Sequence, residues 1–288
     1  ARDGQLSIET YSDSNTALLK QGASESRLPY LEAEDFPPVP EIGRDGHLSL
    51  PMGSLRAAVD SVIYAVSADA HRAVLTGVLF AYNGHTLTLV ATDTHRLAVR
   101  RLTQEGIGDS VNAIVPDKAL RAIKSLPISE DGPVELLFGG GRVAVETSTA
   151  KVVCQLLAGT YPNWERVVPS EFTRTWSVEA DQMLDKVKRA MIFARDNANR
   201  VRFKGDGDQI VIAARSEDGG ESKDELAMIG EQGDVEIAFN GKYVRDVLDA
   251  IEGPGVRVEM TESSRPAVFR PADEGENYFC VIMPMALA

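Results

Sequence analysis

One strand–helix–hairpin phrase occurs twice in this chain, and it constrains the fold more than any other feature. A strand entering an amphipathic helix, Asn112 to Leu126, leads to a strand from Gly132, a Gly139-Gly140-Gly141 turn and a returning strand from Arg142. The same order returns at Val235 to Ile251, with further strands from Gly255 and Arg265. Each helix is entered through a cap-like residue, Asp117 in one copy and Asn240 in the other. Self-similarity of this kind marks a protein made of repeated modules and takes precedence over local reading.

The pattern extends on both sides of the phrase. Met52 to Val66 places Leu55, Val59, Val62, Ile63 and Val66 at helical spacing, with Arg56 and Asp60 on the other face. Strands from Thr76 and Thr86 flank Asn83-Gly84, the strongest short hairpin signal, and another strand begins at Leu97. In the later copy a helix is predicted from Ala180 to Ala194. It should bury Met183, Leu184, Val187, Met191 and Ile192, and expose Lys186, Lys188, Arg189 and Arg195. Strands follow from Arg200, Gln209 and Glu225, and a last one runs from Tyr278 into the apolar tail. Two helices and several antiparallel strands per copy, without strand–helix–strand alternation, predict an α+β fold of tandem domains.

Residues 1–40 read as the tail of a third copy. Gly4 to Thr10 and Ala17 to Gly22 form a hairpin resembling Gly141 to Thr147 and Val152 to Gly159. An aromatic–proline segment follows each, Phe36-Pro37-Pro38 and Tyr161-Pro162. The front of that copy is expected to lie outside this chain. Residues 31–46 are acidic and proline-rich and read as an extended linker. The connection from Gly159 to Pro169 is apolar and is expected to pack between domains. The predicted division is residues 1–44, the tail of a first domain with its linker; 45–170, a central domain; and 171–288, a C-terminal domain.

Charge decides between classes of partner. The net charge is −13, which argues against a grip on nucleic acid through overall charge. It is compatible with a protein that confines its basic residues to one face or encloses its ligand. On the four predicted helices the cations are Arg56; Lys118, Arg121 and Lys124; Lys186, Lys188 and Arg189; and Lys242 and Arg245. Their recurrence at equivalent places in both copies points to one shared face able to meet a phosphate backbone. No apolar run approaches the roughly 18 residues of a membrane helix, and no charged-then-apolar leader is seen, so a cytoplasmic protein is expected. Cys154 and Cys280 sit in apolar strands at matching places and read as core residues in a reducing compartment rather than as a disulfide.

Catalytic signals are weak. The histidines are His47, His71, His85 and His95. Asp93 and His95 supply two of the three or more ligands a metal requires, and read as polar residues tying down a loop. A metal-dependent hydrolase using that pair is the enzymatic rival. The glycine triplet lies between strands, not before a helix, and so is a hairpin turn rather than a phosphate loop. No nucleophile elbow or dinucleotide fingerprint is present, and neither a catalytic site nor a cofactor is expected.

Four stretches carry a family resemblance. Leu89 to Val99 (Leu-Val-Ala-Thr-Asp-Thr-His-Arg-Leu-Ala-Val), Tyr161 to Pro169, Phe239 to Leu248 and Val281 to Met285 resemble the bacterial DNA polymerase III β subunit, the replication sliding clamp family. The family pattern is Ala-Thr-Asp-x-His-Arg-Leu, then Tyr/Phe-Pro-Asp/Asn-Tyr/Trp, then Phe-Asn-x-x-Tyr, then a closing Met-Pro-Met-Arg-Leu. The resemblance implies tandem DNA-clamp domains in a ring of two head-to-tail subunits, helices inside and sheets outside, sliding on double-stranded DNA without catalysis. It further implies a peptide pocket between the second and third domains for the polymerase III α subunit, the clamp loader and other proteins with a clamp-binding motif.

Carried over motif by motif, that pocket uses Leu75, Thr92, Thr94, His95, Arg96 and Leu97, with Pro162, Arg166 and Val167 from the interdomain segment. Asn240 and Tyr243 join it, as do Val281, Met283, Pro284, Met285 and Leu287 of the tail. Leu and Met side chains suit an adaptable apolar groove. Ala286 stands where the family has Arg, and Ala288 follows Leu287. In the family the ring closes between the first domain of one subunit and the third of the other, so closure turns on the front of the first domain, and the homodimeric ring is expected of the full-length protein. A small-molecule-binding protein using the same groove without DNA is the remaining rival.

Overall fold

The computed structural model describes every residue except 1–4, 37, 44, 104–106, 109, 229–233, 274–276 and 288. Gly4, Pro37 and Ala288, used in the sequence reading, lie outside the described residues. The chain forms two compact units, Ala1–Glu41 and Ile42–Ala288.

The first unit is an antiparallel meander of β1 (Ser7–Tyr11), β2 (Thr16–Gln21) and β3 (Ser24–Pro29). Apolar alternation in the sequence marks only the first hairpin. β3 is polar and exposed along its length, so it gives no apolar alternation to read. Its presence shifts the comparison by one strand. β3, not β2, is the strand that directly precedes the aromatic–proline segment.

The second unit holds two modules in the same order of elements. The central module comprises β4 (Gly46–Pro51), α1 (Met52–Ile63), β5 (Gly77–Tyr82), β6 (Thr86–Thr92), β7 (Arg96–Thr103), β8 (Ile107–Gly108), β9 (Val111–Pro116), α2 (Asp117–Lys124), β10 (Pro133–Gly139), β11 (Arg142–Glu146) and β12 (Lys151–Gln155). The C-terminal module comprises β13 (Arg174–Glu179), α3 (Ala180–Ala194), β14 (Arg200–Asp206), β15 (Gln209–Arg215), β16 (Glu221–Ala227), β17 (Glu236–Asn240), α4 (Gly241–Ala250), β18 (Gly255–Met260), β19 (Ala267–Pro271) and β20 (Tyr278–Ile282). Apart from the two-residue β8, each element of one has its counterpart in the other. The architecture is α+β, as expected.

Three sheets organise this unit. One has the order β12-β11-β10-β4-β8 and another β16-β15-β14-β17. The third has eight strands, β13-β18-β19-β20-β7-β6-β5-β9, and so takes half its strands from each module. The join is the antiparallel pair β20–β7, with Cys280 opposite Ala98 and Val281 opposite Leu97.

Alternation along the joining strands feeds two cores at once. In β7, Ala98 faces the central core while Leu97 and Val99 face the opposite side. In β20, Tyr278, Cys280 and Ile282 enter the C-terminal core while Phe279 and Val281 face the opposite side. A strand buried on both faces reads as a continuous apolar run, and this one does. α1 packs on β6 and β7, and α3 packs on β15 and against α4. The other face of the eight-stranded sheet is covered by the apolar connection expected to lie between domains. Tyr161, Trp164, Val168 and Phe172 cover Val90, Leu97, Val99 and Val281 there, and Tyr161 Oη donates to the Val90 carbonyl at 3.3 Å. The connection therefore lies over the seam of the sheet rather than between two separate bodies.

Other expectations meet particular outcomes. The Gly triplet is a hairpin turn, with Gly140 and Gly141 at φ 57° and 73°, the pair of left-handed residues a tight two-residue turn requires. Asn240 caps α4 by accepting from the Lys242 amide at 3.0 Å. Asp117 does not cap α2: it is the first helical residue, behind Pro116, where its charge favours the positive end of the helix. Ile192, expected inside, is 60% exposed, because Ala190 and Ala194 take the buried positions of that turn.

Candidate docking groove and helix face

The Thr92–Arg96 turn between β6 and β7 is the first part of the site. Asp93 Oδ1 accepts from the amides of His95 at 2.9 Å and Arg96 at 3.0 Å, and Asp93 Oδ2 accepts from Arg96 Nε at 3.1 Å. Thr92 Oγ1 accepts from the Thr94 amide at 3.1 Å and donates to the Arg96 carbonyl at 2.6 Å. These bonds hold Thr94 at φ 80°, a left-handed conformation that is strained for a β-branched residue. Asp93 thus spends its oxygens on its own turn. No group of three or more His, Cys, Asp or Glu able to hold a metal occurs among the described residues.

Arg96 is the strut between the modules. Its side chain is only 9% exposed. Nη1 donates to Asp246 Oδ2 of α4 at 2.7 Å, and Nη2 donates to the Tyr64 carbonyl, just beyond α1, at 2.5 Å. Its guanidinium lies between two aromatic rings, 5.1 Å from Tyr64 and 4.4 Å from Tyr243. Beneath it the hydroxyls of Tyr64 and Tyr278 share a hydrogen bond of 2.9 Å across the seam, and burial pushes both phenols well above their usual range.

Around that strut lies an apolar groove of about 210 Å³, lined by Leu75, Thr92, Thr94, Arg96, Leu97, Pro162, Asn163, Trp164, Val167, Val281 and Met283. Leu75, Leu97 and Val281 form a buried floor, while Val167 and Met283 stand exposed at the rim. Four stretches far apart in sequence converge here, and nine of the eleven lining residues were expected from the motifs. Asn163 and Trp164 were missed, although they stand in the same Tyr-Pro-Asn-Trp motif that drew attention to Pro162.

The remaining expected residues lie beside the groove rather than in its lining. His95 is exposed and stacks on Tyr243, with centroids 6.4 Å apart and planes 19° apart. The tail is pinned there: the Met283 amide donates to the His95 carbonyl at 2.9 Å, and the Met285 amide to the Ala238 carbonyl at 2.7 Å. Pro284 and Met285 are half-buried and Leu287 is exposed. Arg166 is exposed, and Asn240 serves as the α4 cap.

The basic residues of the helices divide into three sets. Arg56 is occupied structurally. It donates to the carbonyls of Lys124, Leu126 and Ile128 at 3.1, 2.6 and 3.1 Å, and pairs with Glu130 at 2.5 Å, so it closes the carboxyl end of α2. Lys124 pairs with Asp60 of α1, and Arg121 with Asp117 at 3.4 Å. Arg189 turns sideways to Asp224 of β16 at 2.9 Å; that hydrogen bond holds the Asp224 carboxyl below the usual carboxylate value. Lys118 and Lys242 are exposed, and Lys186 is half-buried. Lys188 and Arg245 approach Asp249 at 3.7 and 4.0 Å, and Arg245 also donates to Asp246 Oδ1 at 2.6 Å. Asp246 is thus shared, with one oxygen on the groove residue Arg96 and the other on the helix-face residue Arg245.

Repeated α+β modules fused through one sheet, with an apolar groove at the seam, define a docking scaffold. Comparison with known proteins gives its family. Residues 49–163 match the central domain of the DNA polymerase III beta subunit, and residues 165–286 match its C-terminal domain. The beta sliding clamp of Staphylococcus aureus strain Mu50 is 31% identical over 256 residues, which cover 88% of this chain and 68% of that protein. A crystal structure of the DNA polymerase III subunit beta from Pseudomonas aeruginosa superimposes with a TM-score of 0.92 at 29% identity, covering 100% of this chain and 78% of that one. The sliding clamp of Bacillus subtilis gives a TM-score of 0.92 at 25% identity over 98% of this chain and 75% of its own. This chain belongs to the DNA polymerase III beta subunit family, the beta sliding clamps.

Proposed function

We propose that this protein is a DNA sliding clamp: a non-catalytic processivity factor that encircles double-stranded DNA and tethers a replicative polymerase through the groove at the module seam. In this reading residues 45–170 and 171–288 are the second and third clamp domains, and 1–44 closes the first. The observation that carries it is the convergence of Leu75, Thr92–Leu97, Pro162–Val167 and Val281–Met283 on one apolar groove. A groove with an aliphatic floor, a flexible Met at its rim and a few polar groups suits the apolar side chains of a short linear peptide. The occupants are the polymerase III α subunit, the clamp loader and other proteins with the motif. The working assembly is a homodimeric ring acting in the cytoplasm. No helix among the described residues is long and apolar enough to cross a membrane.

Enclosure accounts for the charge. A ring holds DNA by topology, so weak phosphate contacts are sufficient inside an acidic protein. The test is titration with a fluorescent Gln-Leu-x-Leu-Phe-type peptide. Val167→Glu and Met283→Glu, both at exposed rim positions, are expected to weaken binding by about tenfold or more. Unchanged affinity in both variants removes the groove assignment. Failure of the complete ring to stimulate extension of a long primed template by its polymerase removes the clamp reading.

A further inference from the structure

The proposed DNA role leaves open where on the helix layer the duplex is held, and the two modules are not equivalent there. Between α3 and α4 lies a cleft of about 510 Å³, lined by Lys188, Met191, Ile192, Arg195, Asn199, Lys242 and Arg245. Four of those seven residues are cations and none is a carboxylate. Arg195 and Lys242 are exposed and form no ion pair among the described residues. The cleft has a defined shape. The Gly241 amide donates to the Asn199 carbonyl at 2.8 Å, tying the start of α4 to the loop that ends α3. Gly241 also lets the helices approach closely, since a Cβ there would meet Met191 Cγ at 2.7 Å.

The equivalent positions of the central module carry less positive charge, and the repeat shows why. Lys118 and Arg121 stand in α2 where Lys242 and Arg245 stand in α4. Aligned at the starts of the first helices, Asp60 occupies the place of Lys188, and it is paired with Lys124. α3 has 15 residues against 12 in α1, and Ile192 lies in that extra turn, with Arg195 immediately after it. Ile192 stands 60% exposed at the mouth of the cleft, and Arg195 forms no ion pair among the described residues. Both fit a ligand with a charged rail and an apolar flank.

We propose that the α3–α4 cleft of the C-terminal module is the principal phosphate-holding site for duplex DNA. Arg195 and Lys242 contact successive phosphates of one strand, Lys188 and Arg245 flank them, and Ile192 lies against the sugar edge. The central module supplies a weaker contact through Lys118 and Arg121. Lys186 and Arg189 stand apart from the cleft, with Arg189 committed to Asp224.

This inference rests on the DNA reading above, and the experiment separates their failures. Binding of a fluorescein-labelled 30-base-pair duplex to the full chain is measured by anisotropy across a salt series. Variants are Arg195→Glu/Lys242→Glu and, for the central module, Lys118→Glu/Arg121→Glu. Thermal melting and groove-peptide affinity report on folding in each. The cleft variant is expected to weaken duplex binding by about tenfold and to lower the salt slope by about two, the value of two lost phosphate contacts. The central variant is expected to lose less than half as much. An equal or larger loss in the central variant, or no loss in the cleft variant, overturns the cleft assignment and leaves the DNA reading standing. Absence of any salt-dependent duplex binding by the unaltered chain, with peptide binding intact, overturns the cleft assignment alone; the clamp reading falls only if the complete ring fails in the primer-extension test above.

Discussion

Arg96 shows how much one side chain can be asked to do. It lines the groove, answers Asp93 within its own turn, and reaches Asp246 and the Tyr64 carbonyl across the seam. Removing a buried partner leaves the other charge uncompensated, so Arg96→Ala is expected to cost about 3–5 kcal/mol in denaturant unfolding, with a parallel loss of peptide affinity. A loss of affinity without a loss of stability would mean that Arg96 is only a contact residue. The cysteines make a second test at this scale. Burial pushes the Cys280 thiol up to about 12, and Cys280 is fully enclosed, whereas Cys154 is half-exposed, its thiol raised by burial. Iodoacetamide at pH 8 is expected to label Cys154 in the folded protein and Cys280 only on unfolding. Equal labelling of both would contradict the packing around β20. The motif told the reader that Arg96 matters, but not why. Asp246 lies 150 positions away and is one acidic residue among many.

At the scale of elements, periodicity was a good guide to existence and a poorer guide to facing. α3 begins and ends where its apolar spacing says, yet Ile192 points outward. Helical periodicity alone cannot say that two alanines suffice where α4 packs close. That approach depends on Gly241. Gly241→Ala is expected to cost about 1 kcal/mol or more through the clash with Met191 and the buried Val201, and to widen the α3–α4 cleft. Urea unfolding checks the first effect and the duplex salt slope the second. β3 was missed for a related reason: the strand is exposed on both faces, so backbone pairing with β2 holds it without an apolar pattern. Arg56 was legible as a helix cation. Its three bonds to carbonyls at the end of α2 depend on how α1 and α2 are packed, which no spacing reveals.

For the whole molecule, the consequential feature is the sheet shared by both modules. The cluster of Leu75, Val90, Leu97, Val99, Phe279 and Val281 belongs to neither module alone, and the connection from Tyr161 to Phe172 covers it. Expressed separately, residues 45–170 and 171–288 would each expose an apolar sheet face and an unpaired strand edge, β7 in one and β20 in the other. Each fragment is expected to aggregate or to bind the other, while residues 45–288 remain soluble and unfold in one transition, as followed by size exclusion and calorimetry. Two fragments that are monomeric and stable apart would show that the seam is a contact between independent domains. By itself the sequence determined the repeated module and its α+β class, because apolar period is a local property of the chain, and its short motifs, through the family they resemble, pointed to most residues of the groove. Only the tertiary structure decided that β20 pairs with β7, that Arg96 answers Asp246, and that Arg195 and Lys242 form no ion pair among the described residues. A strand edge or a charge can be satisfied by any complementary partner, and folding chooses among partners that lie far apart in the chain.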